Sequence, residues 1–482
     1  MKVFKNFSIY SIGSMLQSAI SLFLLPIYLS YFSPAEYGII TVLIVLGSTL
    51  ALVTNFGSNS GFYRLYFEKD RPRLFSTVIA WRIIISCVVF IVLLIYLKPL
   101  TMFFLKSDAY VYPMFLQGIF LLLSPVKELF FLTLRLEQKA KKFLLYSLSY
   151  MLIDFALKII YIVFLKRGVT GYFVAQILVE IVIIVVILMS ERLIRMLRIP
   201  KFSLIKEVLK VGFPYTFSDI GDWIMQSADK LLLNHFLGPS VVGVYNLAIK
   251  LSSLFQIVLV KPMNLWWGPH ILQRASVEGM TAFKSETKKF FHHLILPSAL
   301  LSAIIGLGSP IIMLISRNPE YRQAIQLVPF AIIPSFLSLL LLPFAVQFIQ
   351  AKRTRYAGYG GMISAMVSIG MNFLFIPILG IWGAVLANIG AYTVWLVIYA
   401  YGGQKSIPIQ YEIRRSKKPF LLFLAYETIL LFSVLYFENY FIHALVATSL
   451  VMIAVLVSTN YSLLKSIIKD VTFRSSCINN MH

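Results

Sequence analysis

Charged side chains stand inside stretches that are otherwise apolar, and their types and spacing point to the handling of ions, not to bond chemistry. Asp219 and Asp222 lie three residues apart in one stretch, which also carries Asp229 and Lys230. Side chains at i and i+3 share one face of a helix. Two close carboxylates resist double ionisation, so such a pair can hold a proton or, together, a cation. Asp154 and Lys158, at i and i+4, have the spacing of a local ion pair. Lys127 and Glu128 are adjacent and so point in different directions. Glu180 and Lys250 lie at similar depths in their stretches and are expected to pair. Arg82 and Lys261 lie near stretch ends, where a long stem can be buried while the charge reaches water. Asp154, Glu180, Asp219 and Asp222 are therefore the candidate ion-coupling groups.

Other chemistries find no support. The two cysteines, Cys87 and Cys477, cannot make a disulfide framework, and the six histidines, His292 and His293 included, show no zinc spacing. The nearest approach to a phosphate-binding loop, Gly402-Gly403-Gln404-Lys405-Ser406, lacks the required glycine before its lysine. No cofactor or metal is expected beyond a coupling proton or sodium ion.

These charges must be positioned by membrane helices. The 482 residues are 59% hydrophobic and 13% charged, against about a quarter charged in soluble domains. About fourteen apolar stretches reach spanning length: 8–32, 39–57, 78–97, 113–133, 144–165, 172–190, 211–236, 244–265, 290–315, 323–350, 359–378, 384–402, 419–437 and 443–463. Of the 43 Lys and Arg, 31 fall in alternate loops and the termini, 6 in the opposite loops and 6 inside the stretches. Cytoplasmic loops hold the excess of Lys and Arg, which places both termini in the cytoplasm. The first stretch has no clear cleavage site and is expected to stay as a span. The net charge of +23 is dispersed through short loops, so it is an orientation signal, and nucleic-acid binding is not expected. Prolines 26, 125, 214, 297, 329, 334 and 343 interrupt spans and favour kinks. No loop is long enough for a soluble catalytic domain.

An internal repeat is visible. Phe32-Ser33-Pro34-Ala35-Glu36-Tyr37-Gly38 follows the first stretch, and Leu237-Gly238-Pro239-Ser240-Val241-Val242-Gly243 follows the seventh, with Pro and Gly matched 205 residues apart. Gly168-Val169-Thr170-Gly171 and Gly380-Ile381-Trp382-Gly383 match 212 apart in equivalent turns. Two such pairs imply a duplicated six-span unit of one orientation, as in parallel-repeat transporters. The expected division is a six-helix lobe over 1–205, a second over 206–410, and two further helices with a tail over 411–482.

These motifs resemble the multidrug/oligosaccharidyl-lipid/polysaccharide exporter superfamily, and within it the bacterial polysaccharide-unit flippases. The resemblance rests on Leu24-Leu25-Pro26-Ile27-Tyr28-Leu29 running into Phe32–Gly38, and on Gly212-Phe213-Pro214 followed by Ala228-Asp229-Lys230 and the turn from Gly238 to Tyr245. It implies an all-α polytopic protein of the bacterial inner membrane, two lobes forming a V around a central cavity, and alternating access. The implied substrate is an undecaprenyl-pyrophosphate-linked oligosaccharide repeat unit of the O-antigen or capsule type. The polysaccharide polymerase machinery is a candidate partner. A pyrophosphate crossing an apolar medium needs cationic partners, which makes Arg82, Lys127, Lys158, Lys250 and Lys261 the candidate substrate-binding residues. Two alternatives stay open. A multidrug or cation antiporter of the same superfamily would want an acidic cavity, whereas the spans hold a near-balanced mix of acids and bases. A polymerase or ligase would be expected to carry a large outer loop.

Overall fold

The computed structural model describes residues 20, 23–190, 197–316, 318–353, 355–411 and 413–459. Most of the first expected span, the N-terminal lysines and the C-terminal tail lie outside them. Among the described residues every regular element is helical. The elements are α1 (23–31), α2 (Pro34–Asn55), α3 (Ser58–Leu65), α4 (Arg71–Leu105), α5 (Val111–Leu136), α6 (Ala140–Lys158), α7 (Gly168–Ser190), α8 (Phe202–Trp223), α9 (Asp229–Leu237), α10 (Pro239–Phe255), α11 (Lys261–Gly308), α12 (Ile311–Ile315), α13 (Arg322–Gln350), α14 (Arg355–Leu379), α15 (Ile381–Ser406), α16 (Ile413–Tyr436) and α17 (Phe441–Thr459). Three π-helical segments, Ile159–Phe164, Ile224–Ala228 and Gln256–Val260, follow α6, α8 and α10 without a break.

Among the described residues eleven helical stretches are long and apolar enough to cross a membrane, and the protein is a multi-pass membrane protein. The difference from fourteen has three sources. The stretch 8–32 is largely outside the described residues. The stretch 211–236 is too rich in charge, with Asp219, Asp222, Asp229 and Lys230. Pro239–Gly308 is continuous and counts once although it holds two expected spans. Within it Gly279 takes φ +82°, and Trp267 stacks on Phe290 at 3.7 Å while Arg274 approaches Glu286 at 3.7 Å. These pairs sit nearly symmetrically about Gly279, so α11 folds back there as a helical hairpin. The stretch 266–289, expected as a loop, is thus helical on both arms. The segment 58–77, also expected as a loop, contains α3.

The repeated motifs have clear local physics. Ser33 caps α2: its hydroxyl accepts from Glu36 N–H, and Glu36 Oε2 accepts from Ser33 N–H at 2.9 Å, with Pro34 at the first helical position. Gly238 precedes Pro239 with φ +88°. In the other pair, Gly168, the first residue of α7, and Gly380, just ahead of α15, both take positive φ.

The chain divides into two compact units. The first comprises Met1–Asn246, Ile315–Tyr321 and Gly361–Ala391; the second comprises Leu247–Leu314, Arg322–Gly360 and Tyr392–His482. In the first unit, a methyl group on Gly38 would overlap the Pro239 carbonyl, and one on Gly243 would overlap the Pro34 carbonyl. Asn246 Nδ2 donates to Thr41 Oγ1 at 3.0 Å. Pro34 and Pro239, Gly38 and Gly243, and Thr41 and Asn246 are matched positions 205 residues apart, and the contact is reciprocal, as a local two-fold relation requires. A second reciprocal contact joins Gly57 and Gly212. The core beside that end packs Phe62, Phe75, Val78, Leu129, Leu134, Ile183 and Val208. In the second unit, the end of α10 and the π segment after it are joined to α13 by polar contacts, Ser252 Oγ to the Val328 carbonyl at 3.1 Å and Gln256 Nε2 to Ser335 Oγ at 3.2 Å.

The reciprocal glycine contact predicts that Gly38→Ala or Gly243→Ala costs about 1–3 kcal/mol by overpacking. The double substitution should cost less than the sum, because both methyl groups force apart the same contact. Thermal unfolding of the purified protein measures it, and unchanged midpoints would contradict the contact.

Candidate functional site

Two adjacent residues of α5 organise the charged interior of the first unit. Consecutive helical positions are about 100° apart, so Lys127 and Glu128 address different neighbours. Lys127 Nζ donates to Glu180 Oε2 of α7 at 2.6 Å and lies 4.0 Å from the centre of the Tyr150 ring of α6. Glu180 is fully buried. Glu128 Oε2 accepts from Arg82 Nη2 of α4 at 2.7 Å, and Arg82 Nη1 donates to Asn59 Oδ1 of α3 at 3.1 Å. Arg82 is 1% exposed, whereas the Glu128 side chain is 40% exposed. Four charges thus form two interhelical pairs, each with one member shielded from water.

The pairs border two hollows. One, of about 780 Å³, is lined by Asn59, Ser60, Tyr63, Arg64, Lys127, Glu128, Phe131, Leu132, Arg135, Phe143, Ser147, Tyr150, Met151 and Tyr215. The other, of about 350 Å³, shares Asn59, Ser60 and Glu128 and adds Ser48, Asn55, Arg82, Asp219 and Trp223. Trp223 Nε1 donates to Ser48 Oγ at 3.0 Å, fixing the indole in the wall of the second. The larger hollow carries Arg64, Lys127 and Arg135 against Glu128 alone. Arg64 is paired with Glu68, and Arg135 lies 6.0 Å from the Phe143 ring with no carboxylate partner among the described residues. Lys127 lies eight positions from Arg135, about 12 Å along α5. Lys127 is held by Glu180 and Arg64 by Glu68, so Arg135 is the lining cation left without a carboxylate among the described residues, and aromatic faces flank the hollow. Such a surface binds an anionic head group by charge-assisted hydrogen bonds and stacks sugar rings.

The sequence-derived residues fall into separate places. Lys127 lines the larger hollow, and Arg82 and Asp219 the smaller. Arg82 does not reach water as expected, because Glu128 and Asn59 satisfy it inside the bundle. Glu180, expected to pair with Lys250, is held by Lys127. Lys158 pairs with Asp154 at 2.8 Å as the spacing implied, and its Nζ lies 4.3 Å from the Tyr172 ring centre; neither lines the hollows. Asp222 is exposed. Lys250 is half-buried and Lys261 exposed, both in the second unit. Sequence reasoning missed Asn59 and Tyr150, which are polar but uncharged, and counted Arg64 and Arg135 only as loop charges. It also missed the buried partners of Asp229: Oδ2 accepts from Tyr245 Oη at 2.6 Å and from Asn388 Nδ2 at 3.0 Å.

Residues 31–269 match the model of a family described as polysaccharide biosynthesis protein. Among solved structures, the chain is similar to "Lipid II flippase MurJ, inward closed conformation", with TM-score 0.67 and 14% identity over 96% of this chain and 100% of that one. It is also similar to an outward-facing multidrug resistance MATE family transporter of the MOP superfamily, with TM-score 0.61 and 16% identity over 83% of this chain and 95% of that one. No curated protein sequence matches the chain. The fold is the one these solved membrane proteins share, as the motifs of the chain implied.

The buried pairing predicts an asymmetric double-mutant cycle. Glu180→Ala leaves Lys127 without its partner and should cost about 3–5 kcal/mol. Adding Lys127→Met should recover part of that loss. Unfolding free energies of the three variants measure the coupling, and strict additivity would contradict the pair.

Proposed function

We propose that this protein moves an undecaprenyl-pyrophosphate-linked oligosaccharide repeat unit from the cytoplasmic to the outer face of a bacterial inner membrane by alternating access. The observation that carries the reading is the lining of the larger hollow, where Arg64, Lys127 and Arg135 stand among aromatic faces and Arg135 has no carboxylate partner among the described residues. A pyrophosphate needs cations wherever it leaves bulk water. Tyr63, Tyr150 and Tyr215 offer faces and hydroxyls to the sugars. An organic-cation antiporter of the same superfamily would meet Arg135 in this lining, and among the described residues no group has the arrangement of a polymerase or ligase site.

In this reading the substrate enters from the basic end of the bundle, where the loops holding Lys69, Arg71 and Arg73 lie in the cytoplasm with both termini. The lobes 1–205 and 206–410 rock against each other, and residues 411–482 are an addition to them. A proton or sodium gradient drives the cycle. Asp219, half-buried beside Arg82 and Glu128, is the coupling carboxylate best placed to sense the substrate cavity, with Asp222 one turn away. Asp154 and Glu180 are each neutralised by a lysine and serve chiefly to hold Lys158 and Lys127. Lys158, Lys250 and Lys261 would meet the pyrophosphate only at other stages of the cycle. The polymerase machinery would receive the unit at the outer face.

Deletion of the gene should trap complete single repeat units on the cytoplasmic face, read by mass spectrometry of the lipid-linked pool with an impermeant sugar-modifying enzyme testing sidedness. Arg64→Ala with Arg135→Ala should lower export by about tenfold or more, the scale of one lost charge-assisted hydrogen bond, at unchanged protein abundance. An unaltered lipid-linked pool after deletion would refute this substrate class. Units that reach the outer face but stay unpolymerised would favour the enzyme reading.

A further inference from the structure

Among the described residues, Glu427 is a carboxylic acid buried with nothing to neutralise it. The buried positions of α16 are Phe423, Tyr426, Glu427, Leu430 and Ser433, a stripe at the i, i+3, i+4, i+7 spacing of a helix face turned inward. Glu427 sits at its centre and is 7% exposed. Among the described residues neither Oε1 nor Oε2 has a hydrogen-bond partner. The stripe packs inside the second unit against three helices. Phe423 lies 4.9 Å from Phe336 of α13, and Tyr426 Oη is 3.1 Å from Ser449 Oγ of α17. Tyr426 Oη also occupies the space a side chain at Gly306 of α11 would need.

No countercharge faces it from these elements. From 294 to 308 α11 has no ionisable side chain, and its His292 and His293 lie about 20 Å from Gly306 along the helix. The only charge on α13 is Arg322, about 21 Å from Phe336, and the only titratable group on α17 is His443, about 9 Å from Ser449. On α16 itself the nearest charge, Lys418, is about 14 Å away; Tyr426 is the adjacent phenol, and its hydroxyl is engaged with Ser449. An unpaired carboxylate in such surroundings gives up its charge by taking a proton. A leucine would fill the stripe without that cost, and ionisable residues at membrane depth mark function.

We propose that Glu427 is a proton-binding site: it is protonated while α16 is packed on α11, α13 and α17, and its ionisation accompanies release of α16 from that packing. The ligand is a proton and the site is the buried stripe of α16. The site is distinct from the cavity of the first unit and does not depend on the export reading. The sign follows from linkage. The packed arrangement holds the proton and the released one does not, so packing is favoured at low pH and weakened as pH rises.

The test uses the full-length protein in lipid bilayers and infrared difference spectroscopy, unaltered protein minus Glu427→Gln, at neutral pH. The expected result is a protonated-carboxyl C=O band present in the unaltered protein and lost in the variant. Absence of the band overturns the proposal. Should the variant fail to fold, the unaltered protein is treated with dicyclohexylcarbodiimide, which modifies protonated carboxyls in apolar surroundings. An adduct on Glu427 at neutral pH supports the site, whereas none on Glu427, with uptake there after acid denaturation, refutes it. Thermal unfolding then reads the coupling. The midpoint of the unaltered protein should fall from neutral to alkaline pH by more than that of Glu427→Gln, and equal falls would overturn the link to packing.

Discussion

A charge inside this apolar bundle must bring its countercharge with it, and that constraint fixes how the helices of the first unit meet. An unpaired ion in low-dielectric surroundings costs several kcal/mol, and a pair recovers the cost only with good geometry. Here α5 supplies both signs from neighbouring positions. Lys127 ties α5 to α7 through Glu180, and Glu128 ties it to α4 through Arg82. Rotating α5 by one position would break both pairs at once. The pairs therefore specify the rotational setting of α5 more tightly than its apolar contacts can, since Leu and Phe side chains repack with little penalty. The same setting turns Lys127 and Arg135 towards the hollow that Arg64 of α3 also lines.

The backbone contacts between repeats play a complementary part. Gly38 meets Pro239 and Gly243 meets Pro34; Gly57 meets Gly212. Gly38 and Gly57 are separated by about 28 Å along α2 and its C-terminal turn, close to the thickness of the hydrocarbon core. The first unit thus has glycine-to-backbone contacts at both ends of α2, with the charged hollow starting at Asn59, just beyond Gly57. Backbone-to-backbone contacts of this kind make no lasting side-chain interlock. They can separate without pulling long side chains out of a packed partner, which suits surfaces that must part during transport.

The spans were legible because apolar runs and Lys/Arg asymmetry are local properties of the chain. The repeat was legible because a capping box and a positive-φ glycine each demand particular residues. Asp154–Lys158 was legible for the same reason, since its two members are one helical turn apart. Arg82–Glu128 and Lys127–Glu180 were not, because partners 46 and 53 residues apart are chosen by packing. Arg82, judged by its distance from the stretch end, looked solvated; the neighbouring helix α3, which brings Asn59 to it, was concealed in a segment polar enough to resemble a loop. The cationic lining was half legible: the arginines were visible, but only folding joins Arg64 and Arg135 to Lys127.

The π-helical segments account for the part of the seventh stretch that simple periodicity gets wrong. In an uninterrupted α-helix, Asp222 and Asp229 are seven positions apart and share a face, as do Asp219 and Lys230. All four groups would then crowd one side. The π segment Ile224–Ala228 lies between them, and its wider turns offset the following residues by about a quarter turn. Asp229 is carried into the protein, where Tyr245 and Asn388 satisfy it, while Asp222 stays exposed. The other two segments also border lysines, Lys158 before Ile159–Phe164 and Lys261 after Gln256–Val260. A π turn can migrate or close with small dihedral changes, rotating whatever follows it. A charge beside one can be re-aimed without breaking the helix, which sets Lys158, Asp229 and Lys261 apart from Arg82, Lys127, Glu128 and Glu180, held within uninterrupted α-helices.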